Sequence, residues 1–283
     1  MKVQEILMQG YDILKREEID TYIIDCQLIL AKVLEVDRFF ISINKDLEVD
    51  EIDANSFMKL IEKRKHKMPV KYITENCEFM GIDFYICKGV LIPRPDTETL
   101  VLKVIEEIKD NKYKSICDVC CGSGVIGISL AKIIKNIQVS CYDISDTAVN
   151  VSRINIDKLL LSDRVEVKKS DLLQVPIDEV KKFDVLVSNP PYIRGEVIPQ
   201  LMEDVKNFEP YEALYGGEDG LDFYRSITLN SRNVLLKRGL IAFEIGQDQK
   251  NDVEAILESN GFDEIKVVKD LSGKNRVICG KLI

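Results

Sequence analysis

The sequence predicts an α/β protein: a small helical N-terminal domain, a linking β-hairpin, and a larger domain built on a mostly parallel sheet. Three observations predict it. Residues 1–68 place apolar side chains at helical spacing. Residues 69–96 change to strand-forming residues around a turn. From residue 97 to 283, strand-like and helix-like runs alternate, the pattern that lays helices on both faces of a sheet.

In the first region, Ile6, Leu7, Tyr11, Ile13 and Leu14 recur on one helical face. Asp20 is placed to cap a second helix, whose apolar face carries Ile23, Ile24, Leu28, Ala31 and Leu34. A third helix is expected from about Asp53 to Lys67, with Phe57, Leu60, Ile61 and Arg64 on one side and a basic run before Pro69. No catalytic constellation lies here, so residues 1–68 are expected to grip a partner. Tyr72, Ile73, Phe79, Phe84, Tyr85 and Ile86 supply the hairpin, with Met80-Gly81 at its turn. It leads into Leu91-Ile92-Pro93-Arg94-Pro95-Asp96-Thr97-Glu98. The two prolines stiffen that segment, and Thr97 or Asp96 is placed to cap the next helix. Strands are expected at Ser115 to Val119, Gln138 to Tyr142, Val165 to Lys169, Phe183 to Ser188, Leu240 to Ile245, Ile265 to Lys269 and Val277 to Gly280. The last two are close enough in sequence to pair antiparallel.

Composition narrows the function. The 283 residues are 46% hydrophobic and 31% charged, enough apolar material for a sizeable core. A formal net charge of -9 weighs against a chain that holds nucleic acid by its phosphates. No run approaches the ~18 uncharged apolar residues of a membrane span. The opening Met1-Lys2-Val3-Gln4-Glu5 lacks the apolar stretch of a signal peptide, so a cytoplasmic setting is expected. Of 8 cysteines, Cys117, Cys120 and Cys121 cluster. Disulfides are not expected in that setting. Cys117-x-x-Cys120 is half of a zinc pattern, but no second pair follows at metal spacing and the only histidine is His66. No metal is expected, and the thiols read as small buried apolar groups.

Four features carry chemistry. After the strand Ile116-Cys117-Asp118-Val119, the loop Cys120-Cys121-Gly122-Ser123-Gly124 turns into a helix. Glycines let backbone approach a ligand and the helix start offers amide donors, so the loop is a candidate cofactor cradle. The next strand ends at Asp143, about 20 residues on, where an acid suits two ribose hydroxyls; the alternative is that Asp143 only caps a helix. Asp171 follows the third strand, where an acceptor suits the amino group of an adenine; the alternative is an exposed loop acid. The decisive segment is Asn189-Pro190-Pro191-Tyr192, straight after an apolar strand. Its prolines fix an extended turn and donate no hydrogen bonds. A planar NH2 group can give one hydrogen to the Asn189 side chain and one to the Pro190 carbonyl, beside the flat face of Tyr192.

With these motifs in place, the chain resembles the protein-(glutamine-N5) methyltransferases that modify release factors, the HemK/PrmC family, over nearly its whole length. The matching segments are Leu91 to Glu98, Asp118 to Gly124, Asp143, Asn189 to Tyr192 and Phe208-Glu209-Pro210 with Ala213-Leu214. Gly216-Gly217 through Gly220-Leu221, Glu244-Ile245-Gly246 with Gln249, and Asp270 to Arg276 match as well. The resemblance implies a Rossmann-like, seven-stranded methyltransferase domain that uses S-adenosylmethionine. Cys120, Cys121, Gly122, Ser123, Gly124, Asp143, Leu172 and Asn189 would contact that cofactor, with Asp171 beside its adenine. Asn189, Pro190, Pro191 and Tyr192 would hold the target glutamine, and Asn189, Pro190 and Tyr192 would act in the reaction. The substrate implied is the Gly-Gly-Gln loop of class 1 peptide chain release factors, with no membrane and no direct nucleic-acid substrate. Two departures stand out. The family often has glycine where this chain has Cys120, so the backbone there is expected to suit ordinary residues. Asp96 stands where glutamate is common.

Asn-Pro-Pro-Tyr is shared with adenine amino-group methyltransferases, which flip a base into the pocket. That reading meets the acidic balance and the lack of a basic recognition domain. A non-catalytic S-adenosylmethionine-binding protein is opposed by the intact motif, and a nicotinamide oxidoreductase by the lack of hydride-transfer residues.

Overall fold

The computed structural model describes residues 1–283, which divide into two compact units. The first comprises Met1–Asn76 together with Met202–Phe208; the second comprises Cys77–Leu201 and Glu209–Ile283.

The first unit holds α1 (Val3–Arg16), α2 (Tyr22–Val33), α3 (Arg38–Ile43), α4 (Glu51–Lys65) and α5 (Val70–Thr74). Its core gathers Val3, Ile6, Leu14, Cys26, Ile29, Leu30, Phe57 and Ile61. Helix α2 is rotated from the expected face: Ile23 and Ile24 are 45% and 47% exposed, while Asp25 is buried. The reason is an ion pair, Arg64 Nε to Asp25 Oδ2 at 2.7 Å, which draws a charged residue inward and turns its neighbours out. Asp20 does not cap α2. Thr21 stands at its start, and the Thr21 hydroxyl donates to Asp25 instead. Asp37 and Asp50 do cap α3 and α4, accepting from the amides of Phe40 and Asp53. Tyr72 and Ile73, read as strand-like, lie in helix α5. The Pro69 carbonyl accepts from both of their amides, and Ile73 joins the helical core, so packing overrides β-propensity.

A hairpin follows, β1 (Asn76–Phe79) and β2 (Ile82–Tyr85), all but its first residue in the second unit. Met80 and Gly81 both take positive φ, 54° and 70°, as a tight two-residue turn requires. Then come α6 (Glu98–Asn111), β3 (Ser115–Val119), α7 (Val125–Ile133), β4 (Gln138–Asp143), α8 (Asp146–Lys158), β5 (Val165–Lys169), α9 (Gln174–Asp178) and β6 (Phe183–Ser188). After α10 (Glu203–Lys206), which belongs to the first unit, follow α11 (Asp222–Ser231), β7 (Leu235–Glu244), α12 (Lys250–Ser259), β8 (Phe262–Lys269) and β9 (Asn275–Leu282). The seven-stranded sheet runs β5-β4-β3-β6-β7-β9-β8. Strands β3 to β7 pair in parallel, and β9 runs antiparallel to both β7 and β8.

Alternation along each strand feeds two cores. Ile116, Val139 and Val185 face α6 and α7, where Leu100, Val104 and Ile128 cover them. Cys117, Leu186 and Ile241 face α11 and α12, meeting Tyr224, Ile227, Val253 and Leu257. Strand β7 starts earlier than its apolar run suggests. The expected strand begins at Leu240, but β7 begins at Leu235; Arg238 adopts φ 63° within it, and the register against β6 shifts there. No helix is long and apolar enough to cross a membrane.

Candidate active site

The chain leaves β3 for β4 and β5 on one side, then returns to β6 on the other. Ligands of such sheets bind in the crevice at the strand ends where the order reverses. A cavity of about 770 Å³ lies there, within the second unit. Its wall includes Val119 at the end of β3 and Cys120 to Ser123 after it, Asp143 at the end of β4, Asp171 and Leu172 after β5, and Asn189 and Pro191 after β6. Most of the residues singled out in sequence therefore meet in one place. Gly124, Pro190 and Tyr192 do not line it.

The loop after β3 is held from beneath by α8. Ser152 Oγ donates to the Gly122 carbonyl at 2.9 Å, and the buried Asn155 Nδ2 donates to the Ser123 carbonyl at 2.9 Å. Asn155 also exchanges hydrogen bonds with the Tyr85 backbone, tying the hairpin to the same loop. Asp143 accepts from the Gly122 amide at 2.8 Å and from the Ser145 amide at 2.9 Å. Ser145 is the residue that caps α8, accepting from the Ala148 amide, so Asp143 is not spent on capping. Burial pushes the Asp143 pKa up, and its backbone hydrogen bonds pull it back down. Asp118, fully buried, accepts from the Gly127 amide at 2.8 Å, and burial raises its pKa to about 7.

The backbone of this end turns through left-handed conformations. Cys120 adopts φ 59°, Gly122 57°, Gly124 80° and Leu172 46°. The expectation that position 120 suits an ordinary residue is overturned. It lies in the left-handed region, where a Cβ costs energy and glycine does not. At Gly124 the close neighbours are protein: a Cβ would come within 2.7 Å of Ile128 and 2.9 Å of Ser152.

At the other end, Ser188 Oγ donates to the Val119 carbonyl at 2.6 Å, locking β6 to β3 where Asn189 emerges. Asn189 Nδ2 donates to Thr97 Oγ1 at 3.3 Å, and Thr97 Oγ1 donates to Glu244 Oε2 at 2.5 Å. Tyr192 turns away from the cavity. Its hydroxyl donates to Glu244 Oε1 at 3.2 Å and its ring packs against the core, so it does not present a stacking face. Glu244 is 1% exposed. Burial raises its pKa, opposed by the Thr97 hydrogen bond and the nearby positive charge of Arg276. The aromatic wall comes instead from Tyr211 and Tyr215, stacked with centroids 5.2 Å apart.

Comparison with known proteins fits this geometry. Residues 5–74 match the PrmC N-terminal domain and residues 94–205 the methyltransferase small domain. A release factor glutamine methyltransferase of Clostridium acetobutylicum is 52% identical over 98% of both chains. One of Clostridium botulinum is 53% identical, again over 98% of both. The chain belongs to the release factor glutamine methyltransferase family. The chain's fold also resembles that of a T. thermophilus 16S rRNA methyltransferase solved in complex with AdoMet and guanosine. That match has a TM-score of 0.54 at 16% identity, covering 74% of this chain and 50% of the other, and bears on fold alone.

Several residues of this methyltransferase escaped the reading of sequence for chemistry. Thr97 was read as a helix cap, yet it makes no side-chain cap bond and points its hydroxyl at Glu244. Buried Glu209 accepts from the Ile92 amide at 3.1 Å and from the Arg94 guanidinium, pinning the proline-rich segment. Gln249 Nε2 donates to the carbonyls of Tyr192 and Gly220, at 3.1 and 3.0 Å. Gly216 packs directly on the same turn, where a Cβ would lie 2.6 Å from Tyr192 Cα. The signal was the match of Glu244, Gln249 and Gly216 to family motifs, which gave no role.

Proposed function

We propose that this chain transfers a methyl group from S-adenosylmethionine to the side-chain amide nitrogen of the glutamine in the Gly-Gly-Gln motif of a class 1 peptide chain release factor. One observation carries the reading: Asn189, with its Nδ2 occupied by Thr97, lines the same cavity as the loop after β3 and Asp143. Its Oδ1 is thereby left as an acceptor toward the cavity.

The wall fits the cofactor. A Cβ added at Gly122 would meet nothing within 4 Å, so the loop has open space above it. The backbone of Cys120 to Ser123 would lie along the cofactor, with Asp143 on the ribose hydroxyls and Asp171 and Leu172 beside the adenine. Gly124 supports the loop by close packing rather than by contact. When bound, S-adenosylmethionine supplies an electrophilic methyl group on a sulfonium. Asn189 Oδ1 takes one hydrogen of the glutamine NH2; the Pro190 carbonyl, expected from sequence to take the other, does not line the cavity. An amide lone pair is delocalised, so orienting the nitrogen and excluding water are the main tasks. Pro191 forms the wall beside that group, and Tyr192 anchors the turn through Glu244. The nitrogen becomes acidic once methylated, and its proton leaves then.

The helical unit is the docking element for the body of the release factor in this reading, in a cytoplasmic setting. Phe39 and Ile43, one turn apart on α3, are 72% and 62% exposed and offer an apolar contact. Replacing both with serine should raise KM for an intact release factor and leave methylation of a short Gly-Gly-Gln peptide unchanged. The central test is to incubate the protein with a release factor and labelled S-adenosylmethionine, then map the methyl group by mass spectrometry. Label on any residue other than that glutamine, or none, would refute the reading.

A further inference from the structure

We infer that Glu244, acting through the Thr97 hydroxyl, sets which end of the Asn189 amide faces the cavity, and so makes Thr97 and Glu244 positioning residues for methyl transfer. The inference rests on the glutamine reading above. An asparagine amide presents either an acceptor oxygen or a donor nitrogen, and a half-turn about its terminal bond exchanges them. A substrate NH2 group has only donors to give, so the site works in one of the two orientations.

The geometry selects that orientation through a chain of hydrogen bonds. Glu244 is buried at the end of β7 and does not line the cavity. Two hydroxyls converge on its carboxylate, Thr97 at 2.5 Å on Oε2 and Tyr192 at 3.2 Å on Oε1. A carboxylate only accepts, so Thr97 gives it the hydroxyl proton. The Thr97 oxygen is then left with lone pairs alone, and its partner on the other side must donate. That partner is Asn189, through Nδ2 at 3.3 Å. Oδ1 is thereby held on the cavity side. Thr97 is 2% exposed, so water does not replace it in this role. The surroundings hold the carboxylate in place. Tyr224 Oη donates to the Glu244 carbonyl at 2.8 Å, and the charge of nearby Arg276 opposes the rise in the Glu244 pKa that burial causes. Arg276 is itself fixed by Asp96 and Asp270, each at 3.1 Å. The Thr97 hydroxyl, expected to cap α6, is unavailable for capping because it serves this chain.

The test uses the full-length enzyme and a release factor substrate, with single-turnover rates measured beside S-adenosylmethionine affinity. Thr97→Val keeps the shape and removes the relay. The rate should fall roughly 10- to 100-fold, the scale of a misplaced reacting group, with cofactor affinity within about twofold of wild type. Thr97→Ser restores the hydroxyl and should recover the rate to within about threefold. Glu244→Met, which leaves no carboxylate to accept the Thr97 hydroxyl, should slow the step as Thr97→Val does, and the double variant should be no slower than the worse single one, because both break one relay. A Thr97→Val enzyme at the wild-type rate would overturn the inference. So would a Thr97→Ser enzyme as slow as Thr97→Val, a matching loss of cofactor affinity, or losses that multiply in the double variant. A wild-type enzyme that leaves the glutamine unlabelled sinks the functional reading itself, and is distinguished by that result before any variant is compared.

Discussion

The two ends of the cavity are built by different means. The end after β3 is made of backbone: a short loop of left-handed residues, two of them glycine, pinned by Ser152, Asn155 and Asp143. The end after β6 is made of buried side chains from distant parts of the sequence: Thr97, Glu209, Glu244 and Gln249. Glu209 and Arg94 are 115 residues apart, and Thr97 and Glu244 are 147 apart. A cofactor common to many enzymes can be met by one local turn of repeating geometry. A particular NH2 group needs one acceptor aimed in one direction, and only a network that fixes its rotation provides that.

The comparison predicts that damage at the Asn189 end falls on rate, and damage at the loop end on cofactor affinity. Asn189→Ala is the largest expected effect. It removes the aimed acceptor and should cost roughly 100- to 1000-fold in the single-turnover rate, with cofactor affinity much less changed. Asn189→Asp keeps an acceptor of the same shape and should retain more activity than the alanine variant, but less than wild type. If Asn189→Ala runs as fast as wild type, the clamp is wrong and only the turn remains.

Asp143→Ala is the matching cut at the loop end. It should weaken S-adenosylmethionine binding by roughly 2–4 kcal/mol, since each charged acceptor contributes about 1.5–3 and the losses overlap. Part of that loss comes from freeing the Gly122 amide that Asp143 holds at 2.8 Å. Calorimetric titration of a folded variant reads it directly, and unchanged affinity would remove Asp143 from the cofactor site.

Asp118 gives the loop end a pH dependence. Burial raises its pKa from 3.8 to about 7, so within that window the folded state binds a proton that the unfolded state does not. The sign follows from linkage: its contribution to stability is present at acid pH and is lost as pH rises through the window. Its Oδ1 is buried with no hydrogen-bond partner, which is why the charged form is disfavoured. Urea denaturation of wild type and Asp118→Asn across that window should show wild type gaining stability relative to the variant as pH falls. Parallel curves would mean that Asp118 is ionised throughout.

The same contrast explains what could be read from sequence. The sheet was legible because strand periodicity and glycine punctuation are local, and Ser115–Val119, Val165–Lys169 and Phe183–Ser188 fall where their residues suggest. The loop and Asn189-Pro190-Pro191-Tyr192 were legible as short motifs for the same reason. Helix α3 and the buried face of α2 were not, because a long-range pair between Asp25 and Arg64 decides the latter. Thr97 shows the limit most sharply. Its position before a helix signals a cap, and only the fold reveals that Glu244 claims its hydroxyl.

Cys120 provides the smallest and most discriminating test, because it asks whether the strain of the loop serves the site. Its φ of 59° places a side chain where glycine would be at ease. Two outcomes are balanced against each other. Removing the Cβ relieves left-handed strain, which for an ordinary residue is about 1–2 kcal/mol. It also loosens the unfolded chain and removes the thiol from its half-buried place against the core that includes Tyr142 and Leu173. Strain relief is the larger of these terms, since the thiol is small and only partly buried. Cys120→Gly should therefore raise stability by about 0.5–1 kcal/mol, with cofactor affinity close to wild type because the loop backbone keeps its shape. Thermal denaturation with calorimetric titration measures both. A destabilised variant would mean that the Cys120 side chain holds the loop in place, and that this end of the cavity, like the other, depends on a buried side chain rather than on backbone alone.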